Sequence, residues 1–400
     1  MTPHQRGGVV VVGPGARFMS GISYYTAALA NAFAGRGPVC ALLLDRLCPA
    51  IVYPGRDRIG QQPHSALGYL PQVEVRNCLD WFWFPRIILS LWALVRARPR
   101  LVVLTWWTGT ALHTYVLLAA AARVCRARVV IEFHETFDVG EARIPGVKPY
   151  VRAGMRVLEV LCSGGVVHSR HDQVRVRDEL RLRSLPLTVV YHGPYDVDRT
   201  ERTQRGDGTV RYLFFGVQRS YKGLDELADA FAELVDGTGR RAQGPSAVHL
   251  TVAGEHWGEC GPARQRLSVM GDLVTFVDGY VDDDDVAHLF TAADVVVLPY
   301  RRSAASGPLH MAMAYGLPVV TTSVPALAEV VDGYAGAVLA EPGDSASLAD
   351  AMRCAVGLVG GNFDDPHSWD QVLDGIEHAA GLVPRHRTAS TGSASTGSAS

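Results

Sequence analysis

Short runs of branched apolar residues alternate along this chain with longer stretches whose apolar positions recur every three or four residues. The first pattern suits buried strands and the second suits helices packed on them. Runs at 9–12, 39–44, 101–104, 129–133, 165–167 and 187–191 predict strands; helical spacing follows Gly21 and recurs at 87–95, 111–124, 155–161 and 173–182. A polar stretch with two glycines, 199–208, interrupts the alternation. Strands then resume at 210, 249–253, 274–277, 295–298 and 319–322. Helices follow through Leu224, Leu227, Ala228, Phe231 and Leu234, and at 286–292, 309–314, 347–359 and 369–379. This alternation predicts an α/β fold, a doubly wound sheet in the first half, and the polar break marks a boundary between two domains. The boundaries fall at 1–196 for the first domain, 197–209 for a linker and 210–365 for the second, with a last helical segment at 366–387. Residues 388–400, TASTGSASTGSAS, have no large apolar side chain and predict a disordered tail.

Composition refines this picture in two respects. With 48% hydrophobic and 20% charged residues and no apolar run of about 18, a globular protein without a membrane span is expected. The N-terminal segment lacks the apolar core of a signal peptide, and the seven cysteines form no CxxC pair, so a reduced, cytoplasmic protein without structural zinc is expected. Charge is divided unevenly. Residues 1–200 hold 24 Lys plus Arg against 14 Asp plus Glu, a balance of +10, and residues 201–400 hold 14 against 26, a balance of -12. Two complementary domain surfaces explain this, as does a basic half that meets an anionic acceptor or the inner face of a membrane. The stretch Trp81, Phe82, Trp83, Phe84 and 87–95, followed by Arg96, Arg98 and Arg100, fits either a core helix or an amphipathic helix lying on lipid.

The chemistry is concentrated between residues 295 and 333. A strand stopped by Pro299 leads into a loop of small polar residues, 301–307, and then into a helix ended by Gly316 and Pro318. Unpaired N–H groups at such a helix start suit a phosphate. The run AMAYGLPVVTTSVPALAEVVDG here resembles the donor-binding signature of family 4 glycosyltransferases, retaining enzymes with two Rossmann-like domains facing across a cleft, the GT-B fold. The family carries an acidic residue on each side of the turn into this helix; Ser303 and Met311 stand there instead, as in a divergent branch with a Ser-Gly pair at the helix start. The resemblance makes Ser306 and Gly307 phosphate-facing and Glu329 part of the turn facing the donor. Over 210–234 it implies that Arg219 and Lys222 hold the donor diphosphate, with Gly216 keeping the strand end open. Gly254 and Tyr280 stand at the family's next two donor-side turns. Two fixed cations stabilise a departing nucleotide diphosphate more than the bound donor, a catalytic role.

In the first domain, Ser20-Gly21-Ile22-Ser23 is similar to the family's first phosphate-side loop, whereas the spacing of GPGARF does not match a dinucleotide fingerprint. His134 directly follows a strand, and the resemblance places it against the donor sugar as the catalytic candidate of this domain. Trp106, Trp107, Glu135 and His192, also at strand ends, are acceptor-side candidates. Glu135 and Asp138 also read as ordinary loop acids. The DxD pattern in 282–285 reads as capping of the following helix, so no metal is expected.

The resemblance implies a retaining transfer from a nucleotide-diphosphate sugar, UDP sugars being the commonest donors, to the hydroxyl of a glycolipid, polysaccharide precursor or small molecule. No cofactor and no nucleic acid take part, and 366–387 crosses back onto the first domain. A non-catalytic sugar-nucleotide-binding protein, a sugar-nucleotide epimerase and a membrane-docked scaffold remain as alternatives.

Overall fold

A computed structural model describes residues 7–16, 21–46, 67–82, 84–137, 141, 144–199, 208–237, 247–256, 260–302 and 306–382. Ser20, Trp83, Asp138, Ser303 and the tail 388–400 lie outside these residues. The first domain holds a parallel seven-stranded sheet of order β3-β2-β1-β4-β5-β6-β7. Its strands are β1 (Val9–Pro14), β2 (Val39–Arg46), β3 (Val73–Asp80), β4 (Leu101–Trp106), β5 (Arg128–Phe133), β6 (Gly164–Val167) and β7 (Leu187–Val189). Helices α1 (Gly21–Ala34), α2 (Arg86–Ala97), α3 (Leu112–Val124), α4 (Val147–Leu161) and α5 (Arg170–Leu180) connect them.

The second sheet has the order β10-β9-β8-β11-β12-β13 and is also parallel. It comprises β8 (Thr209–Phe215), β9 (Ala247–Gly254), β10 (Val274–Asp278), β11 (Val295–Leu298), β12 (Val319–Thr322) and β13 (Ala337–Ala340). Its helices are α6 (Leu224–Gly237), α7 (Gly261–Ser268), α8 (Asp283–Ala292), α9 (Gly307–Ala314), α10 (Pro325–Val330) and α11 (Ser345–Ala355). Each sheet is buried on both faces. In the first, Leu94, Leu112, Met155 and Val176 pack on one side and Tyr25, Leu29 and Phe33 on the other; in the second, Leu227, Phe231 and Met352 oppose Phe290, Leu309 and Met313. That burial explains the continuous apolar strands VVVV, LVVL and VVVL.

The last helix, α12 (Trp369–Ala379), returns to the first sheet. Val372, Leu373 and Ile376 enter the core under α1, and the Trp369 indole donates to the Pro194 carbonyl at 2.8 Å. The strand order of each sheet reverses near its centre, between β1 and β4 and between β8 and β11, the places where open α/β sheets collect ligands.

Candidate active site

In the second domain the site is built on the carboxyl ends of β8, β9 and β11. Gly216 follows β8 with φ +114°, and a side chain there would lie 3.0 Å from the Lys222 ammonium and 3.5 Å from Pro308. Gly254 follows β9 with φ +122°, and a Cβ there would meet the Gly216 carbonyl at 2.4 Å. Neither position tolerates a larger residue, because the two strand ends touch. Arg219 opens the 3-10 turn Ser220–Lys222, which returns the Lys222 ammonium to a point 5.0 Å from the Tyr300 ring centroid. Gln218, fully buried, ties the loop down through its amide to the Gly254 carbonyl at 2.9 Å. Ser306 caps α9 and accepts from Leu309 N–H at 3.3 Å. A lysine, two side-chain-free strand ends and a helix N-terminus thus converge, an arrangement suited to a diphosphate.

Opposite, β5, β6 and β7 end in histidines. Glu132, His134, His168, His192 and, from α9, His310 are all buried. The Tyr25 hydroxyl donates to one Glu132 oxygen at 2.5 Å. His134 and His168 each bring Nε2 to 3.9 Å from that carboxylate, close enough for coulombic attraction and too far for a hydrogen bond. Burial alone raises the Glu132 carboxyl, but His134, His168 and Tyr25 outweigh it and hold the group below its ordinary range. Burial, and then the neighbouring His134, lowers His168. His168 donates from Nδ1 to the Val190 carbonyl at 2.9 Å, so in the neutral ring Nε2 carries a lone pair. Two acceptors, His168 Nε2 and Glu132, therefore face each other. His134 Nε2, His168 Nε2 and one Glu132 oxygen have no hydrogen-bond partner among the described residues. What seats between them must bring O–H donors or positive charge.

Distance separates these possibilities. The three ligand atoms lie within 4.8 Å of one another. Metal bonds of about 2.1 Å hold tetrahedral ligand atoms only about 3.4 Å apart, so Glu132, His134 and His168 would have to contract to hold a zinc ion. A hydroxyl oxygen at hydrogen-bond distance, about 2.8 Å, reaches atoms up to about 4.8 Å apart without any shift. A hydroxyl so placed can donate its one proton to Glu132 or to His168, not to both.

The two halves meet through rings. His192 lies 4.5 Å from Tyr25 and stacks on His310 at 4.4 Å, which joins the first sheet to α9. Burial, together with His310 and His168, lowers His192 well below its ordinary value; burial, His367 and His168 bring His310 to about 3. Tyr195, pushed up to about 12 by burial, directs its hydroxyl to within 3.4 Å of where a Gly307 side chain would begin.

Several residues singled out by sequence have other surroundings. Trp106 is fully buried, packs on Tyr115 and donates its indole N–H to the Thr136 carbonyl at 3.3 Å, and Trp107 is 4% exposed. Neither indole presents a face to an acceptor, which corrects that reading of the Thr-Trp-Trp-Thr strand end. Glu329 faces the first domain, where its carboxylate accepts from Arg170 N–H at 2.6 Å and His171 N–H at 3.2 Å, the start of α5. Tyr280 shares a 3.2 Å hydroxyl contact with Tyr24, near the start of α1, where Gly21 is exposed. Glu135 pairs with Arg175 at 3.5 Å. The helix after the DxD pattern begins earlier than predicted, at Asp283, and Asp282 stands at its N-cap without a side-chain bond. Sequence reading missed Glu132, Tyr25 and His310. Glu132 was detectable as a lone acid inside the apolar run VVIEF.

A family model described as Glycosyl transferases group 1 matches residues 209–357, the domain that carries Lys222 and α9. Residues 209–357 thus carry a glycosyl transferases group 1 domain, and the two parallel sheets together have the GT-B fold. The chain is 31% identical over 147 residues to mannosylfructose-phosphate synthase of Agrobacterium fabrum, a stretch covering 35% of this chain and 31% of that protein. It is 38% identical over 136 residues to the lipopolysaccharide glucosyltransferase WaaG of Escherichia coli, 34% of each chain. The matched stretches thus span about a third of these two relatives. Anabaena HepE, solved in complex with UDP, has the same fold at a TM-score of 0.59 and 16% identity over 88% of this GT-B chain and 90% of its own.

Proposed function

We propose that this protein is a retaining glycosyltransferase of the family 4 type that moves a sugar from a nucleotide-diphosphate sugar to an acceptor hydroxyl. The observation that carries the reading is the facing pair of half-sites. A cation and a helix N-terminus suited to a diphosphate stand in one domain, and the unpartnered polar atoms of Glu132, His134 and His168 stand together in the other. Lys222, with Arg219 at the same turn, stabilises the departing diphosphate as its negative charge grows. Gly216 and Gly254 leave the backbone open to the phosphates, and the Gly307 N–H at the start of α9 receives them, since Pro308 has no N–H and those of Leu309 and His310 are bonded to Ser306. His134 and Glu132 orient a hydroxyl at the sugar. Glu132, held ionised, accepts its hydrogen bond without acting as the base. In the retaining route the acceptor attacks from the face the phosphate leaves, and the phosphate oxygen takes its proton. No metal is needed in this scheme. A UDP sugar is the first donor to test, since HepE binds UDP, and the hydroxyl acceptor includes lipid-linked sugars, since WaaG is named for lipopolysaccharide.

The test is a thermal-shift panel of UDP, GDP and dTDP sugars on wild type and the Arg219→Ala/Lys222→Ala double variant, followed by NMR of the anomeric product. One donor should raise the wild-type midpoint by mass action, and the double variant should lose the response. Inversion at the anomeric carbon would refute the retaining route, and silence from every donor at millimolar concentration would refute the diphosphate site. A second reading, a sugar-nucleotide-binding protein without transfer, is favoured by Met311, an apolar residue packed against the second domain's core where the family has an acid. That reading requires donor binding with neither hydrolysis nor transfer.

A further inference from the structure

Helix α2 is mounted with its bulky side outward. Its buried residues are Ser90, Ala93 and Leu94, while Ile88, Leu89, Trp92 and Val95 are between 51% and 58% exposed. The turn before it adds Phe82 and Phe84, the latter 76% exposed. The inward face is held by Leu94 and Ala93 in the core and by Ser90 Oγ, which donates to the Cys78 carbonyl at 2.7 Å. Six large apolar side chains in one continuous stripe form a patch that a freely soluble surface seldom carries. No acid occurs between Arg86 and Ala97. Trp92 lies between two guanidinium groups, Arg76 at 5.4 Å and Arg96 at 5.3 Å, and Arg98 is exposed beyond them. Along the same flank, His113 links the Trp81 carbonyl to the Tyr150 hydroxyl, and Tyr150 is 46% exposed next to exposed Lys148. The half of the chain that carries all of these residues has the +10 balance.

From this combination we propose that the outward face of α2, with Phe82 and Phe84, docks on an anionic lipid surface. The aromatic and aliphatic side chains enter the interface while Arg96, Arg98 and Lys148 meet headgroup phosphates. Arg76 is paired with the exposed Glu74, so the net positive charge at this stripe comes from Arg96, Arg98 and Lys148. An apolar stripe edged by these cations is complementary to a phospholipid leaflet, which offers both acyl chains and negative charge. The proposal is independent of the transfer reaction, although it places lipid along the same edge of the sheet as the acceptor half-site, with β2, β1 and β4 between them. The turn at Phe82 follows β3 at the same carboxyl edge from which His134, His168 and His192 emerge.

Flotation of the full chain with phosphatidylcholine vesicles, with and without about 30 mol% phosphatidylglycerol, tests it. Wild type should float with the anionic vesicles and weaken as salt rises. Ile88→Ser/Trp92→Ser and, separately, Arg96→Glu/Arg98→Glu should each lose at least tenfold in partitioning. These side chains are exposed, so circular dichroism and melting should stay as in wild type; a pair that fails this check is replaced by Phe84→Ser. Equal partitioning of wild type and variants would overturn the proposal. So would a concentration-dependent dimer, abolished by Ile88→Ser/Trp92→Ser, in a protein that ignores vesicles, since the stripe would then belong to a second copy.

Discussion

His310 should make the protein acid-labile well above the range in which carboxylates titrate. Its ring is 2% exposed, stacked on His192, with His367 centred 6.4 Å away. Its folded value of about 3 lies below the unfolded value near 6.5. As pH falls from 7 to 5 the unfolded chain takes up a proton at this position and the folded chain does not, so stability decreases. Linkage gives a loss of about 2 kcal/mol from His310 alone. Because pH 5 lies well above the folded value, this figure depends mainly on the unfolded one. His168 and His192 are shifted in the same direction and add to the loss, whereas Glu132, also lowered, contributes stability that is lost only below about pH 4.3. The perturbation is His310→Phe, which keeps a ring against His192 and removes the titration. For a domain of this size 2 kcal/mol corresponds to roughly 4–8 °C in midpoint. Differential scanning fluorimetry at pH 7, 6 and 5 should show the variant losing that much less than wild type. Parallel curves for the two proteins would refute the assignment of acid sensitivity to this stacked pair.

Three further outcomes follow from the site and its supports. Glu132→Gln should keep the fold but lower kcat/KM about a hundredfold with the donor-induced thermal shift intact, because only the hydroxyl seat is disturbed. Glu329→Ala removes two bonds to the start of α5 and should cost about 1 kcal/mol, with a larger radius of gyration by small-angle scattering as the domains separate. Gly164→Ala places a Cβ 2.3 Å from the Ala379 carbonyl; a destabilisation of about 1–3 kcal/mol, with earlier proteolysis within α12, is the expected result.

The alternation of strand and helix was legible because each central strand is buried on both faces and therefore continuously apolar. The omissions lie at the margins. Edge strand β3 carries Glu74 and Asn77 on exposed positions, β13 is four residues of which only Ala340 is buried, and α7 has one Leu among Arg and Gln. Local pattern is weak where burial is partial. In the site, histidines directly after strands could be picked out one by one, since strand ends are where such folds place chemistry. Their assembly could not. Glu132 reads as an anomaly until Tyr25, 107 residues away, and two histidines from other strands surround it. Trp106 misled for the same reason: an aromatic residue at a strand end is indistinguishable in sequence from one that turns back under the sheet.

The return of α12 makes the first domain discontinuous in sequence. Trp369 covers Gly193, Ala379 lies against Gly164, and Arg36 pairs with Asp370 and Asp374. A ribosome releases this helix after the whole of the second domain, so the first domain remains open on one face throughout synthesis of the second. The same connection limits exchange of parts between relatives. A chimera cut at the interdomain linker alone would pair a foreign last helix with the native first sheet, and only a double crossover that carries 369–382 along with the first domain preserves its packing.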